Sequence, residues 1–191
     1  MKIIIIGADH VGASIARILE IEEGNDITIV DTDQRKKELD DLQNSLNIKT
    51  VVGEVCYPNV LTDAGADDAD MLIALTDVDE INMLACQIAA TIFHIPTKIA
   101  RIRANEYLAH TELYDPAHLP IDVIISPEQT VTKYIKKLIE YPGSFQVLDF
   151  ANGKVKLMGM QVYEDSPLDG HTLRTLKQHI PGVKTLSLIH I

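Results

Sequence analysis

The first twelve residues, Met1–Gly12, read MKIIIIGADHVG, and a second apolar run, Ile27–Asp33, reads ITIVDTD. The opening run is too short for a signal peptide and lacks a cleavage region, so Lys2–Ile6 is expected to be a strand. It leads directly into Gly7-Ala8-Asp9-His10-Val11-Gly12 and then a helical pattern, the context of the dinucleotide fingerprint G-x-G-x-x-G. In that arrangement Gly7 permits the tight turn and Gly12 lets the helix approach the sheet. The helix N-terminus then offers free N–H groups to a pyrophosphate. Asp31 ends the second strand, 24 positions after Gly7 and 19 after Gly12. A carboxylate there accepts hydrogen bonds from ribose hydroxyls and repels an added 2′-phosphate, which favours NAD(H) over NADP(H).

Working outward, short apolar runs alternate with helical patterns, as in a parallel sheet covered by helices. Strands are expected at Lys2–Ile6, Ile27–Asp31, Ile48–Val52, Asp70–Thr76, Lys98–Arg103 and Asp122–Ile125. The first helix, from about Val11, is expected to bury Ile15, Ile18 and Leu19. Asp33 is expected to cap the second, whose inner face is Leu39, Leu42 and Leu46. Pro58 opens a short helix that ends at Gly65. Another helix runs from about Glu80 to Phe93, a short one passes through Tyr107-Leu108, and Ser126-Pro127 opens the last. This is an α/β fold, a doubly wound six-stranded parallel sheet. Beyond Gly143 the period changes: Phe145–Phe150 and Val155–Val162 flank Asn152-Gly153, a strong hairpin signal. A short helix over about Thr172–His179 follows. The expected domains are 1–143 and 144–191, the latter a truncated small α/β domain.

The 191 residues carry 28 acidic against 17 basic side chains, a formal charge of −11, and are 46% hydrophobic. That apolar content can bury a core and excludes wholesale disorder. The acidity, with no basic run longer than Arg35-Lys36-Lys37, argues against binding nucleic acid through phosphates. It also argues against direct binding to an anionic membrane unless a protein partner holds the chain there. No run approaches the length of a spanning helix, so the expectation is a soluble, cytoplasmic protein with no direct membrane insertion. Cys56 and Cys86 form no C-x-x-C and are expected to be reduced, buried thiols.

Asp9 departs from the fingerprint, where the middle glycine lets the backbone come close to the pyrophosphate. One reading is a nucleotide site of altered affinity. The other is a loop that caps its own helix with Asp9 and binds nothing. The motifs of catalysis are missing: no Tyr-x-x-x-Lys, no G-x-S-x-G, no G-x-x-x-x-G-K-[ST] and no H-E-x-x-H. The expectation is therefore a protein that is not an enzyme and holds no metal. Asp77, Asp79 and Glu80 read as caps and dipole partners of the helix they precede, or as a cation site. Thr76 and Asp77 fall at the carboxyl edge of the sheet, where ligands of such folds bind. Arg101 and Arg103 alternate on strand five, either paired with surface carboxylates or with one reaching a ligand phosphate.

Met1–Gly12, Ile27–Asp33, Ala66–Thr76 with Asp79-Glu80 and Asn82-Met83, Lys98–Arg103, and Glu140-Tyr141-Pro142-Gly143 are similar to the RCK (or KTN) domains of TrkA-type proteins. These are cytoplasmic, NAD-binding regulatory subunits of Trk potassium uptake systems, and the similarity covers about 1–180. The resemblance implies a Rossmann-like RCK N-terminal domain followed by the start of an RCK C-terminal domain. It implies a nucleotide site at Gly7, Ala8, Asp9, His10, Val11 and Gly12, with Asp31, Thr76, Asp77 and Arg101. The loop would hold the pyrophosphate, Asp31 the ribose and Arg101 a phosphate or ribose oxygen, with Gly53-Glu54 near the adenine edge. The implied cofactor is NAD (NAD+ or NADH), or ATP or ADP at the same site. The implied partners are a Trk-type potassium channel membrane subunit and further copies in a dimer or tetramer. The chain would lie at the inner face of the cell membrane through that subunit. Set against this are an NAD-dependent oxidoreductase of unrecognised substrate and a degenerate domain that only oligomerises.

Overall fold

The computed structural model describes residues 1–22, 24–151, 154–164 and 169–170. β1 (Lys2–Ile6), β2 (Asp26–Asp31), β3 (Lys49–Val52), β4 (Met71–Ala74), β5 (Thr97–Arg101) and β6 (Val123–Ile125) form one parallel sheet. Its order is β3-β2-β1-β4-β5-β6, so the direction of winding reverses between β1 and β4. The strands agree with the sequence reading to within two residues at each end. Helices α1 (His10–Ile21), α2 (Lys36–Ser45), α3 (Pro58–Asp63), α4 (Asp79–Thr91), α5 (Asn105–Leu108) and α6 (Pro127–Glu140) follow the strands in alternation. None of the described helices is long and apolar enough to cross a membrane.

The run of isoleucines in β1 is continuous because helices cover both faces of the sheet. Ile3 and Ile5 enter a core with Ala16, Ile27, Ile29, Leu39, Leu42 and Ile73. Ile4 and Ile6 point the opposite way, into a core with Val30, Leu61, Leu72, Met83 and Cys86. All four are at most 3% exposed, so β1, which with β4 forms the middle of the sheet, is central in burial as well as in order.

Three packing expectations need correction. Ile18 is 62% exposed, whereas α1 meets the sheet through Gly12 and Ala16, with Ile15 and Leu19 at the margin. Two steps from Ala16 rotate a side chain by about 200°, which sends Ile18 to the outer face. Asp33 caps no helix: it begins a 3-10 turn, Asp33–Arg35, that follows Thr32, and no side-chain capping bond forms there. Cys56 is only half-buried, with its thiol 3.5 Å from the Ile81 carbonyl. Cys86 is fully buried, and that burial pushes its thiol up to about 12. Both cysteines are free thiols.

The chain divides into two compact units at Thr130 and Val131, within α6. In the second, β7 (Ser144–Phe150) and β8 (Val155–Met160) pair antiparallel, with Leu148 opposite Leu157 and Val147 opposite Met158. The Asn152-Gly153 turn and the helix expected over Thr172–His179 lie outside the described residues.

Close approach of α1 to β1 requires Gly12. A Cβ there would sit 1.9 Å from the Gly7 carbonyl oxygen, a backbone atom with no room to yield. Helix propensity alone favours alanine by about 1 kcal/mol. The clash outweighs it, so Gly12→Ala is expected to lower unfolding free energy by at least about 2 kcal/mol in urea titration.

Candidate nucleotide site at the carboxyl edge of the sheet

Gly7 leaves β1 with φ +104, a conformation suited to glycine, and donates its N–H to the Val30 carbonyl at 2.9 Å. A Cβ at Gly7 would lie 3.1 Å from the Thr76 amide nitrogen, which brings the loop against the end of β4. Ala8 donates its N–H to Asp31 Oδ2 at 2.6 Å, and Thr32 donates to Asp31 Oδ1 at 2.7 Å. Asp31 is only 7% exposed, so these bonds fix a buried carboxylate beside the glycine loop. Arg35 Nε lies 3.7 Å from Asp31 Oδ2, and an Arg35 terminal nitrogen lies 3.8 Å from Asp77 Oδ2. The tip of the 3-10 turn thereby links the ends of β2 and β4.

Asp9 is the N-cap of α1. Its Oδ1 accepts the N–H groups of Val11 and Gly12, both at 2.9 Å. Its Oδ2 faces Arg101 Nη1 at 3.5 Å, and Arg101 Nη2 lies 3.4 Å from Glu128 Oε1. The Arg101 Nε is buried without an acceptor among the described residues. Gly7, Ala8, Asp9, Gly12, Asp31, Thr76, Asp77 and Arg101 thus meet at one edge of the sheet. The loop residues His10 and Val11 turn their side chains elsewhere, the His10 ring to solvent and Val11 onto the core beside β1, while the Val11 N–H stays at the loop on Asp9. Gly53 donates its N–H to the Asp31 carbonyl at 2.9 Å, while Glu54 is exposed one step further out.

Asp79 does not cap α4, whose N-cap is Val78 without a side-chain bond. Its Oδ2 instead accepts the N–H groups of Arg103 and Ala104, both at 2.8 Å. Arg103 Nε stands 3.8 Å from Asp79 Oδ1, and the Arg103 guanidinium also donates to the Asp77 carbonyl. The acidic residues after β4 therefore tie two strand ends together, because the chain leaving β5 passes beside the start of α4. Glu80 accepts the Tyr107 hydroxyl at 2.7 Å, and that bond lifts the phenol above its ordinary value.

Asn82 is the residue whose role the sequence did not disclose. It is fully buried, and its Oδ1 accepts both the Thr76 N–H at 2.9 Å and the Thr76 hydroxyl at 2.7 Å. Its Nδ2 donates to the carbonyls of Thr76 at 3.0 Å and Arg101 at 2.9 Å. One amide side chain thus holds the ends of β4 and β5 in register and sets the origin of the Arg101 side chain. A polar residue set among the buried apolar side chains Met83, Ala85, Cys86 and Ala89 of α4 was the available signal. Asn82→Ala strands these buried groups and is expected to cost about 1–3 kcal/mol in urea unfolding.

The TrkA-N domain model matches residues 3–127. The Trk system potassium uptake protein TrkA of Halomonas elongata is 52% identical over 185 residues, 97% of this chain and 40% of that protein. Among solved structures, the TrkA-N domain of the inner membrane protein ybaL from Escherichia coli superposes with a TM-score of 0.61 at 14% identity. It covers 72% of this chain and 96% of that one. The GsuK channel bound to NAD superposes with a TM-score of 0.53 at 22% identity, covering 68% of this chain and 22% of that one. These superpositions show a shared fold. The chain spans about 40% of the length of its Halomonas relative. With the family model covering most of the sheet-bearing part and the strand order that of a Rossmann-like sheet, the chain belongs to the TrkA-N family.

Proposed function

We propose that this chain is the nucleotide-binding part of a cytoplasmic regulatory subunit of a Trk-type potassium uptake system, and that it is not an enzyme. The single observation that carries the reading is the buried Asp31 carboxylate, held by the Ala8 N–H beside the Gly7–Gly12 loop of a TrkA-N domain. A carboxylate in that place suits the ribose hydroxyls of an adenine nucleotide. NAD+ or NADH is the leading ligand, with ATP and ADP as related ones, and the NAD named with the GsuK channel accords with that choice.

The domain boundary proposed is 1–143 for the nucleotide-binding domain and 144–191 for the start of the following one. Function follows from assembly as a dimer or tetramer on a Trk-type membrane channel subunit; the Halomonas relative is itself named a Trk system potassium uptake protein. That attachment places the chain at the inner face of the cell membrane. Nucleotide binding regulates the channel only if the two arrangements of the assembly bind it with different affinities, since a ligand that binds both equally shifts nothing.

Calorimetric titration with NAD+, NADH, ATP and ADP tests the reading, and saturable binding of at least one is the expected result. Failure of all four to bind this chain and its Asp9→Gly variant overturns it. Asp31→Ala is expected to weaken binding of that ligand by about 1–2 kcal/mol, the value of a hydrogen bond to a charged group. Unchanged affinity would move the ribose away from β2.

A further inference from the structure

In a strand–loop–helix of this kind a diphosphate is held by the first N–H groups of the helix, and here Arg101 is the cation that faces them. Two of those N–H groups and the cation are already engaged here. Asp9 takes the Val11 and Gly12 N–H groups with one oxygen and faces Arg101 with the other. The two side chains are only 17% and 12% exposed. Arg101 arises from β5, two places from β1 in the sheet, so the ion pair spans the end of β4. It therefore crosses the crevice between β1 and β4 where the winding reverses, the place at which ligands of open α/β sheets bind.

We propose that Asp9 is a tethered anion that occupies the phosphate position of the site and selects against phosphate-bearing ligands. The proposal rests on the nucleotide reading above for the identity of the ligand, and on the Asp9 contacts for the selection. With Asp9 in place the adenosine end of a nucleotide can settle near Asp31 without disturbing the ion pair. A diphosphate enters only by taking the helix N–H groups and Arg101 from the carboxylate, which is then left beside an incoming anion. Nearby charge does not relieve this. Arg35 is shared by Asp31 and Asp77, and Arg101 by Asp9 and Glu128, so two guanidinium groups serve four carboxylates. A glycine at position 9 would carry neither the competing carboxylate nor its charge.

The test compares the wild-type chain with Asp9→Gly and Asp9→Asn, titrated calorimetrically with inorganic pyrophosphate, ADP, NAD+ and adenosine. Asp9→Gly is expected to bind pyrophosphate and ADP about tenfold more tightly or better, because charge-assisted bonds are freed for the ligand. Its adenosine affinity should change by less than about threefold, since no charge is exchanged there. Asp9→Asn keeps a capping side chain without the charge. It should gain a smaller part of the pyrophosphate affinity, and it carries the comparison if the glycine variant does not fold. Equal pyrophosphate affinity in all three proteins, including no binding by any, overturns the tethered anion. So does an adenosine affinity that rises in step with the others. If pyrophosphate distinguishes the variants while adenosine, ADP and NAD+ bind none of them, the tethered anion stands and the nucleotide reading falls.

Discussion

The contact on which the site depends is between two stretches of backbone. The first turn of α1 lies so close to the end of β1 that a methyl group at Gly12 would overlap the Gly7 carbonyl oxygen. This approach aims the first N–H groups of α1 along the carboxyl edge of the sheet. It also brings the Ala8 N–H within 2.6 Å of Asp31 and places Asp9 where it can cap the helix. Side chains then act on a geometry that they did not create. The cost is a loop with no tolerance for a Cβ at its closing residue, which is why its two glycines are not interchangeable with other small residues.

The second constraint works from the other half of the sheet. β4 and β5 both end near the crevice, and loose ends there would leave Arg101 free to wander. Asn82 prevents this by bonding to the backbone of both strand ends from within α4, while Asp79 takes the two N–H groups beyond β5. Buried polar groups are costly unless satisfied; the Asn82 amide and Asp79 Oδ2 are satisfied largely by backbone groups where the ladder stops, while Asp79 Oδ1 has no hydrogen-bond partner among the described residues. The same bonds that stabilise the strand ends thus position the arginine that reaches Asp9.

Much of the fold was legible because the relevant signals are local. A continuous isoleucine run, a glycine loop and an aspartate at the end of the next strand each declare themselves within a few residues, and the sheet follows from repeating that pattern. The errors also share a cause. Asp33 and Asp79 each stand at the start of a helical pattern, where a carboxylate ordinarily reads as a cap, yet neither caps that helix. The partners that claim Asp79 come from the far end of β5, 24 and 25 residues away. Asp9 and Arg101 are 92 residues apart, so their pairing appears only once the order β1-β4-β5 is known. Ile18 shows the converse: apolar character near the right spacing did not secure burial, because the close approach at Gly12 and Ala16 had already fixed which face of α1 meets the sheet.

These contacts change how Asp9 and the overall charge are to be weighed together. A chain of net charge −11 that binds an anion must find local cations, and the site has Arg35 and Arg101. Were either unengaged, an incoming phosphate would gain a new ion pair outright. Each is instead shared between two carboxylates, so phosphate binding becomes an exchange of one anion for another, and its free energy is a small difference between similar terms. Capping by Asp9 is therefore compatible with a nucleotide site of altered affinity. The residue caps its own helix, and for that reason it sets the terms on which a nucleotide phosphate could take its place.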